Sequence, residues 1–298
     1  MPSNDLLVQN WKENVINLVQ FPRTASIPSP SPFSLKLETW LRFTKLNYTN
    51  VNNEFKHYSK KGQVPFIELN GRQYADSYFI INNLIKIFNV SIDQNLSTRE
   101  RAESRAINVL IEESLFRTLI YDRSRDFSWL ASVDKGIGGH LTGIKKVPIL
   151  QKFVIKQFQS KLKKANHIQG IGRHSVEEVE EIAKKDLWSL STLLGEKKYF
   201  FGDHPTSVDA TAFGHLAQFI YTPLNSDKVK TFIETETPNL VEYVKRIKEE
   251  FWPDWDEITR TLALNYDPNK KPEAVTVTET VTVTETVTQP AAESTATE

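Results

Sequence analysis

Residues 60–77 read KKGQVPFIELNGRQYADS, and the order of features within them decides the fold. Residues 64–69 (VPFIEL) are apolar and β-rich, Asn70-Gly71 is a two-residue hairpin turn signal, and residues 72–75 return as a second strand. Asp76-Ser77 then open a helix on which Ser77, Ile80, Ile81, Leu84, Ile85 and Phe88 keep the spacing of one buried face. Towards the N-terminus, residues 15–21 (VINLVQF) form a strand that ends at Pro22, and residues 22–32 hold four of the 14 prolines. From Phe33 the period changes: Phe33, Leu37, Trp40 and Leu41 share a helical face, with Pro32 in the first turn, where its missing N–H does no harm. Residues 48–51 add a short strand. The first ninety residues therefore read β-α-β, then a β-hairpin and a helix.

The remainder is helical in pattern. Ile107, Leu110, Ile111, Leu115 and Leu119 form one stripe; Val176, Val179, Ala183, Leu187, Leu190 and Leu194 a second; Leu240, Val244, Ile247 and Phe251 a third. Polar residues 91–98 are the expected linker. After Pro253 the apolar signal fades, and from Val275 the hexapeptide VTVTET occurs twice in succession. Alternating Val and Thr favours a strand, but the segment has no Leu, Ile or aromatic residue to bury, so residues 263–298 are expected to be a disordered tail rather than an edge strand.

Composition removes several classes of function. With no cysteine among 298 residues, disulfide scaffolds, Cys-ligated zinc and cysteine nucleophiles are excluded. The 37 basic and 37 acidic residues cancel, which argues against a nucleic-acid binder. The six histidines show no metal-ligand spacing, and GIGG at 136–139 and GIGR at 170–173 match no nucleotide-binding pattern, so no metal is expected and these pieces read as loops. No segment is long and apolar enough to span a membrane, and the first twenty residues carry Asp5, Lys12 and Glu13 where a signal peptide would be uncharged. A cytoplasmic protein is the expectation.

Three constellations offer chemistry, each with a plain structural reading beside it. Ser31 precedes Pro32-Phe33-Ser34 at a helix start, where it is either an N-cap or a hydroxyl placed beside an anion such as a thiolate. Gln63-Val64-Pro65 opens a strand, and a cis bond at Pro65 would leave the neighbouring main chain free to pair with an extended peptide. Asp76-Ser77 could grip the charged end of a small ligand or simply cap the following helix. Farther on, Thr206 and Asp209 have the spacing of a capping box, as do Ser175 and Glu178; Arg173 reads as structural or as facing a ligand.

In this order the motifs resemble the glutathione transferase fold: an α/β, thioredoxin-like N-terminal domain (1–90) followed by an all-α helical bundle domain (99–262). More specifically, QFPRT at 20–24, SPFSLKLETWL at 31–41, KKGQVPFIELNG at 60–71, ADS at 75–77 and GIGRHS at 170–175 resemble the failed axon connections family, close to the metaxins and to cadmium-responsive nematode proteins. The resemblance implies a ligand that is glutathione or a small thiol peptide, acting as co-substrate without a further cofactor. It puts Gln63, Val64 and Pro65 along the peptide backbone, Asp76 and Ser77 at its γ-glutamyl end, and Ser31, the candidate catalytic residue, nearest the sulfur. Family members commonly carry cysteine at position 34, and thiol-using relatives carry it at position 31; with serine at both, activities that need a protein thiol are not expected. What the resemblance leaves is a weak or silent transferase, or a non-catalytic interaction protein linked to axon development or metal stress. It also implies a homodimer.

One further feature is local charge. From Lys135 through Ser175 there is no Asp or Glu, while nine residues are Lys or Arg. Leu150, Phe153, Val154, Phe158 and Leu162 make an apolar helical face within this stretch, with Lys152, Lys156 and Lys163 on another. The segment is expected to be a domain helix with its apolar face inward, the alternative being a docking surface for a protein partner or an anionic membrane. Glu177, Glu178, Glu180 and Glu181 follow and are placed to neutralise it.

Overall fold

A computed structural model describes residues 6–140 and 148–265 of the chain. At the centre of its sheet lies β1 (Ile16–Gln20), with all five residues buried. It pairs in parallel with β2 (Tyr48–Asn52) on one side and antiparallel with β3 (Phe66–Leu69) on the other, and β4 (Arg72–Ala75) closes the order β2-β1-β3-β4. The hairpin forms on the expected dipeptide: Asn70 and Gly71 hold φ of 49° and 77°, the pair of left-handed residues that a type I′ turn needs. Helix α1 (Pro32–Thr44) provides the parallel crossover from β1 to β2, and α2 (Ser77–Phe88) follows the hairpin. Leu37, Trp40 and Leu41 of α1 meet Ile80, Ile81 and Leu84 of α2 and the sheet residues Ile16, Leu18 and Ile67 in one core.

The helical half begins with α3 (Thr98–Val109), continues through a π-helical stretch (Leu110–Leu115) into α4 (Phe116–Arg125), and adds α5 (Pro148–Gln169), α6 (Val176–Leu194), α7 (Ser207–Tyr221), α8 (Asp227–Glu236), α9 (Pro238–Phe251) and α10 (Trp255–Thr261). Its core gathers the three stripes seen in the sequence, with Leu35 of α1 added from the other half. Helix α1 thus has two buried faces, and α7 lies across the second. A Cβ on Gly214 of α7 would meet the Lys36 amide nitrogen at 2.6 Å and the Pro32 carbonyl oxygen at 2.7 Å, so only glycine lets the helices approach this closely. Polar bonds cross the same seam: Lys36 Nζ reaches Glu112 at 2.7 Å, Trp40 Nε1 donates to Ser207 Oγ, and Trp252 Nε1 donates to Thr39 Oγ1. In the linker, the Asp93 carboxylate accepts the Ser207 N–H at 2.8 Å, satisfying one of the donors left free at the start of α7.

Both capping boxes are present. Glu178 accepts from the Ser175 main chain while Ser175 Oγ accepts from Glu178. The Asp209 carboxylate is buried and accepts the N–H and the hydroxyl of Thr206, each at 2.7 Å, and also binds the Phe200 N–H and the Tyr243 hydroxyl. Burial pushes the Asp209 carboxyl up, against those four donors.

Two expectations need correction. Residues 263–265 do not belong to a tail. The Leu264 carbonyl accepts from Arg23 and Asn50, and the Asn265 side chain exchanges two hydrogen bonds with the Asn50 main chain at 2.7 and 2.8 Å, because strand β2 is an edge with free main-chain groups to satisfy. The residues from 266 onward, including the VTVTET repeats, lie outside the described residues. Helix α5 does not turn its apolar face inward either: Phe153 is 65% exposed, Val154 52% and Phe158 42%, and Ile155 is its one buried aliphatic side chain. Of the acidic run of α6, Glu178 meets the end of the basic stretch at His174, while Glu180 pairs with Lys228 and Glu181 with Lys185 outside it.

Candidate functional site

A cleft of about 960 Å³ opens between the start of α1, the loop after β2, and helices α4 and α5, near the upper end of the roughly 300–1,000 Å³ usual for small-molecule sites. Its walls are mostly aromatic and aliphatic, and Phe33 and Phe116 meet edge to face at 4.8 Å on one side. Phe55 and Tyr58 from the loop, and Leu150, Val154 and Phe158 from α5, line it while remaining exposed. The apolar face of α5 therefore stands over a cavity instead of packing into a core.

Ser31 sits on this wall at the N-cap of α1. Its Oγ accepts the Ser34 N–H at 3.3 Å, and its own N–H donates to Ser29 Oγ. A hydroxyl carries one donor beside its acceptor lone pairs, and among the described residues nothing accepts from the Ser31 O–H. Both readings of Ser31 are therefore compatible: it caps the helix and still holds a proton to offer at a helix N-terminus. Val64 lines the same cleft, its bond to Pro65 is cis, and among the described residues no hydrogen bond uses its main-chain N–H or C=O.

The other four candidates lie off the cleft wall. Gln63 is exposed and closes a loop through Ser59, while Pro65 is buried ahead of β3. Asp76 holds φ of 76° and accepts the Tyr78 and Phe79 N–H groups, both on Oδ1, at 3.0 and 3.4 Å; Ser77 is buried in the first turn of α2. Arg173 is exposed. Among the described residues, no group of three His, Asp or Glu could hold a metal ion, and no helix is long and apolar enough to cross a membrane.

Sequence reading missed Arg123. It lines the cleft but is only 3% exposed, donating to the Pro30 carbonyl at 2.8 Å and to Gln218 Oε1 at 2.7 Å, with its guanidinium 5.1 Å from the Phe127 ring centre. A signal was available: Ile111, Leu115 and Leu119 recur every four residues, and the next step lands on Arg123, a cation on an apolar stripe. Burial lowers its pKa to about 9, and Asp122 only partly restores it. His140 also lines the cleft, an exposed residue whose Nε2 lies 3.2 Å from the Arg23 carbonyl; partial desolvation of the ring lowers its pKa.

Residues 32–129 match the glutathione S-transferase N-terminal domain, and residues 183–247 match the glutathione S-transferase C-terminal domain. Among solved structures, a beta-etherase from Sphingobium superimposes with a TM-score of 0.54 at 18% identity, covering 83% of this chain and 99% of that one. A glutathione S-transferase of Ceriporiopsis subvermispora, solved with glutathione, has a TM-score of 0.52 at 16% identity and covers 79% and 97%. The chain has the glutathione transferase fold. Within that fold its sequence resembles Failed axon connections of Drosophila melanogaster, 39% identical over 277 residues; these cover 89% of this chain and 65% of that protein's length. The isoprene-epoxide glutathione S-transferase of Rhodococcus is 29% identical over 76% of this chain and 94% of its own, and mouse Metaxin-2 is 27% identical over 82% and 91%.

Proposed function

We propose that this chain binds glutathione or a similar thiol peptide in the cleft, and that it turns over an electrophile weakly or not at all. The observation that carries this is the convergence of Ser31, with an unspent O–H at the start of α1, and the unpaired Val64 main chain on one apolar cleft. A thiol seated beside Ser31 meets a hydroxyl donor and the partial positive charge of the helix N-terminus; both favour the thiolate and so lower the thiol pKa. Val64 offers a main-chain donor and acceptor to an extended peptide, with Gln63 and Pro65 flanking it. Asp76 and Ser77 stand off the cleft wall, so they meet the peptide's γ-glutamyl end only where it extends past Val64; there Asp76, which spends only Oδ1 on capping, keeps Oδ2 for an amine. The kinship to a Rhodococcus protein named as a glutathione S-transferase supports the transferase side of the reading. Glutathione would be the co-substrate, with no further cofactor, in a cytoplasmic protein.

Calorimetry with glutathione tests the proposal. Saturable binding with a Kd between micromolar and millimolar is expected, and Ser31→Ala should raise the pKa of the bound thiol. No heat and no thermal shift at about 10 mM glutathione would overturn it, because a ligand well above its Kd must stabilise the folded state.

A second reading rests on α5. Ile149, Phe153 and Ile168 are each at least 65% exposed beside lysines, which suits a non-catalytic interaction protein that docks a protein partner through residues 135–175, in the setting of axon development or metal stress, or that self-associates. On this reading Ser31→Ala leaves biological activity intact.

A further inference from the structure

We infer that Arg123 and Gln218 are positioning residues, two side chains of the helical half that fasten the loop ahead of α1 and so set where Ser31 holds its hydroxyl. The inference rests on the thiol-binding reading of the cleft and adds to it what keeps Ser31 in place.

The loop has little with which to fasten itself. Residues 26–32 read SIPSPSP, and the prolines at 28, 30 and 32 have no N–H. Of residues 28–32 only Ser29 and Ser31 can donate from the main chain, and the Ser31 N–H goes no farther than Ser29 Oγ, at 3.3 Å. What this main chain offers the rest of the protein is carbonyls, and three in succession are taken by side chains. Arg23 Nη1 reaches the Pro28 carbonyl at 3.4 Å, Gln218 Nε2 donates to the Ser29 carbonyl at 3.1 Å, and Arg123 Nη1 donates to the Pro30 carbonyl at 2.8 Å. The next carbonyl, that of Ser31, accepts the first main-chain bond of α1, from Leu35.

Two of the three donors belong to the helical half and brace each other. Arg123 stands on α4 and Gln218 on α7, 95 residues apart, and Arg123 Nη2 donates to Gln218 Oε1 at 2.7 Å. They are 3% and 0% exposed, and a buried amide is tolerated where its groups are bonded. Gln218 spends its oxygen on Arg123 and its nitrogen on Ser29, so one bridge runs from the Pro30 carbonyl through Arg123 and Gln218 to the Ser29 carbonyl. Ser31 is the next residue after the two carbonyls so held. A hydroxyl favours a thiolate only where its O–H points at the sulfur, because a hydrogen bond weakens steeply off line. A shift of the loop therefore lowers the thiolate fraction without removing any group that touches the ligand.

The test is Gln218→Met in the full chain, which removes both arms of the neutral partner and leaves the charge of Arg123 in place. Amide exchange comes first because it needs no ligand: the Ser31 and Ser34 N–H groups should exchange at least about tenfold faster in the variant, with β1 unchanged. The second readout is the pKa of the bound glutathione thiol, followed by its thiolate absorbance. It should rise by about one unit, an approximately tenfold fall in the ratio of thiolate to thiol at fixed pH, while the Kd for glutathione changes less than about threefold. Leu187→Ala, in the core of α6, controls for lost stability: it should lower the urea midpoint at least as far and leave the thiol pKa as in wild type. Arg123→Lys, which keeps the charge and a donor for Pro30, should raise the thiol pKa less than Arg123→Met does. Unchanged exchange at Ser31 and Ser34 would overturn the inference whether or not glutathione binds. Faster exchange with an unaltered thiol pKa, or an equal rise in Leu187→Ala, would overturn it as well, because the two side chains would then only hold the fold together. A wild type that binds no glutathione would overturn the reading on which the inference rests, a failure visible before any variant is made.

Discussion

Two buried arginines stand at the edges of two very different regions. Arg23 is 1% exposed and makes a two-pronged pair with Glu38 at 2.7 and 2.8 Å, in a closed cluster with Gln20, Asn50 and Tyr48. Arg123 is 3% exposed, has only neutral acceptors, and borders the open cleft. Where charge is balanced internally the chain is closed, as around α1 and α7; where it is not, the chain opens onto space that a ligand can fill. Under the proposed function, stability and binding are carried by separate regions.

Breaking the balanced pair gives the largest expected effect. Glu38→Gln leaves Arg23 in the condition of Arg123, and removing one partner of a buried ion pair costs about 3–5 kcal/mol, read as a drop in the urea midpoint at pH 7. A pH arm sharpens this. Burial raises the Glu38 carboxyl, but Arg23 beside it, with Arg42, more than reverses that and holds it at about 2, below its ordinary 4.5. A depressed carboxyl contributes its stability above the unfolded value and loses it as pH falls through the folded one. The wild type should therefore lose stability between about pH 4.5 and 2, and Glu38→Gln should lack that component. A variant as stable as wild type at pH 7 would mean that the two arginines do not differ in the way proposed.

Gly214 tests the closed region by packing alone. Gly214→Ala places a methyl within 2.7 Å of main-chain atoms of Pro32 and Lys36, which cannot swing aside as a side-chain end would. Overpacking of this kind costs about 1–3 kcal/mol. Because the cleft begins at Ser31, one residue before this crossing, the variant should also weaken glutathione calorimetry more than its loss of stability predicts. An unchanged urea midpoint would show that the crossing is looser than its distances imply.

How much of this was legible in the sequence follows from the range over which each signal acts. The hairpin was readable because Asn70-Gly71 specifies its turn locally, and the helical stripes because burial imposes a period. Ser31 and Val64 could be flagged from their positions before a helix and a strand, but the sequence could not place them on one cleft 33 residues apart. The α5 face was misread because an apolar stripe looks the same whether it meets a core or lines a cavity. Arg123 left a local trace, a cation on the apolar stripe of Ile111, Leu115 and Leu119, but nothing local pointed to the cleft it borders, and the docking of Leu264 on Arg23 joins residues 241 apart in the chain, for which no local pattern exists.

His215 stands between the two regions and carries the smallest expected effect. It follows Gly214 on α7, is fully buried, and meets Phe33 and Phe116 of the cleft wall edge-on at 5.1 and 5.9 Å. Its Nδ1 lies 2.8 Å from the Thr211 carbonyl, a contact only an N–H can make, which leaves Nε2 bare, and Nε2 has no partner. Burial lowers its pKa from 6.5 to about 4, with Glu112 opposing. Between those values the unfolded chain takes up a proton that the folded chain refuses, so stability falls as pH drops from 6.5 towards 4. Asp186, which burial pushes up to about 6, slopes the opposite way over part of this range, so the informative quantity is the difference between wild type and His215→Gln. The variant should hold its urea midpoint better on going from pH 7 to 5, by a margin on the order of 1–2 kcal/mol. Parallel losses in both proteins would mean that His215 shares the openness of the cleft it borders rather than the closure of α7.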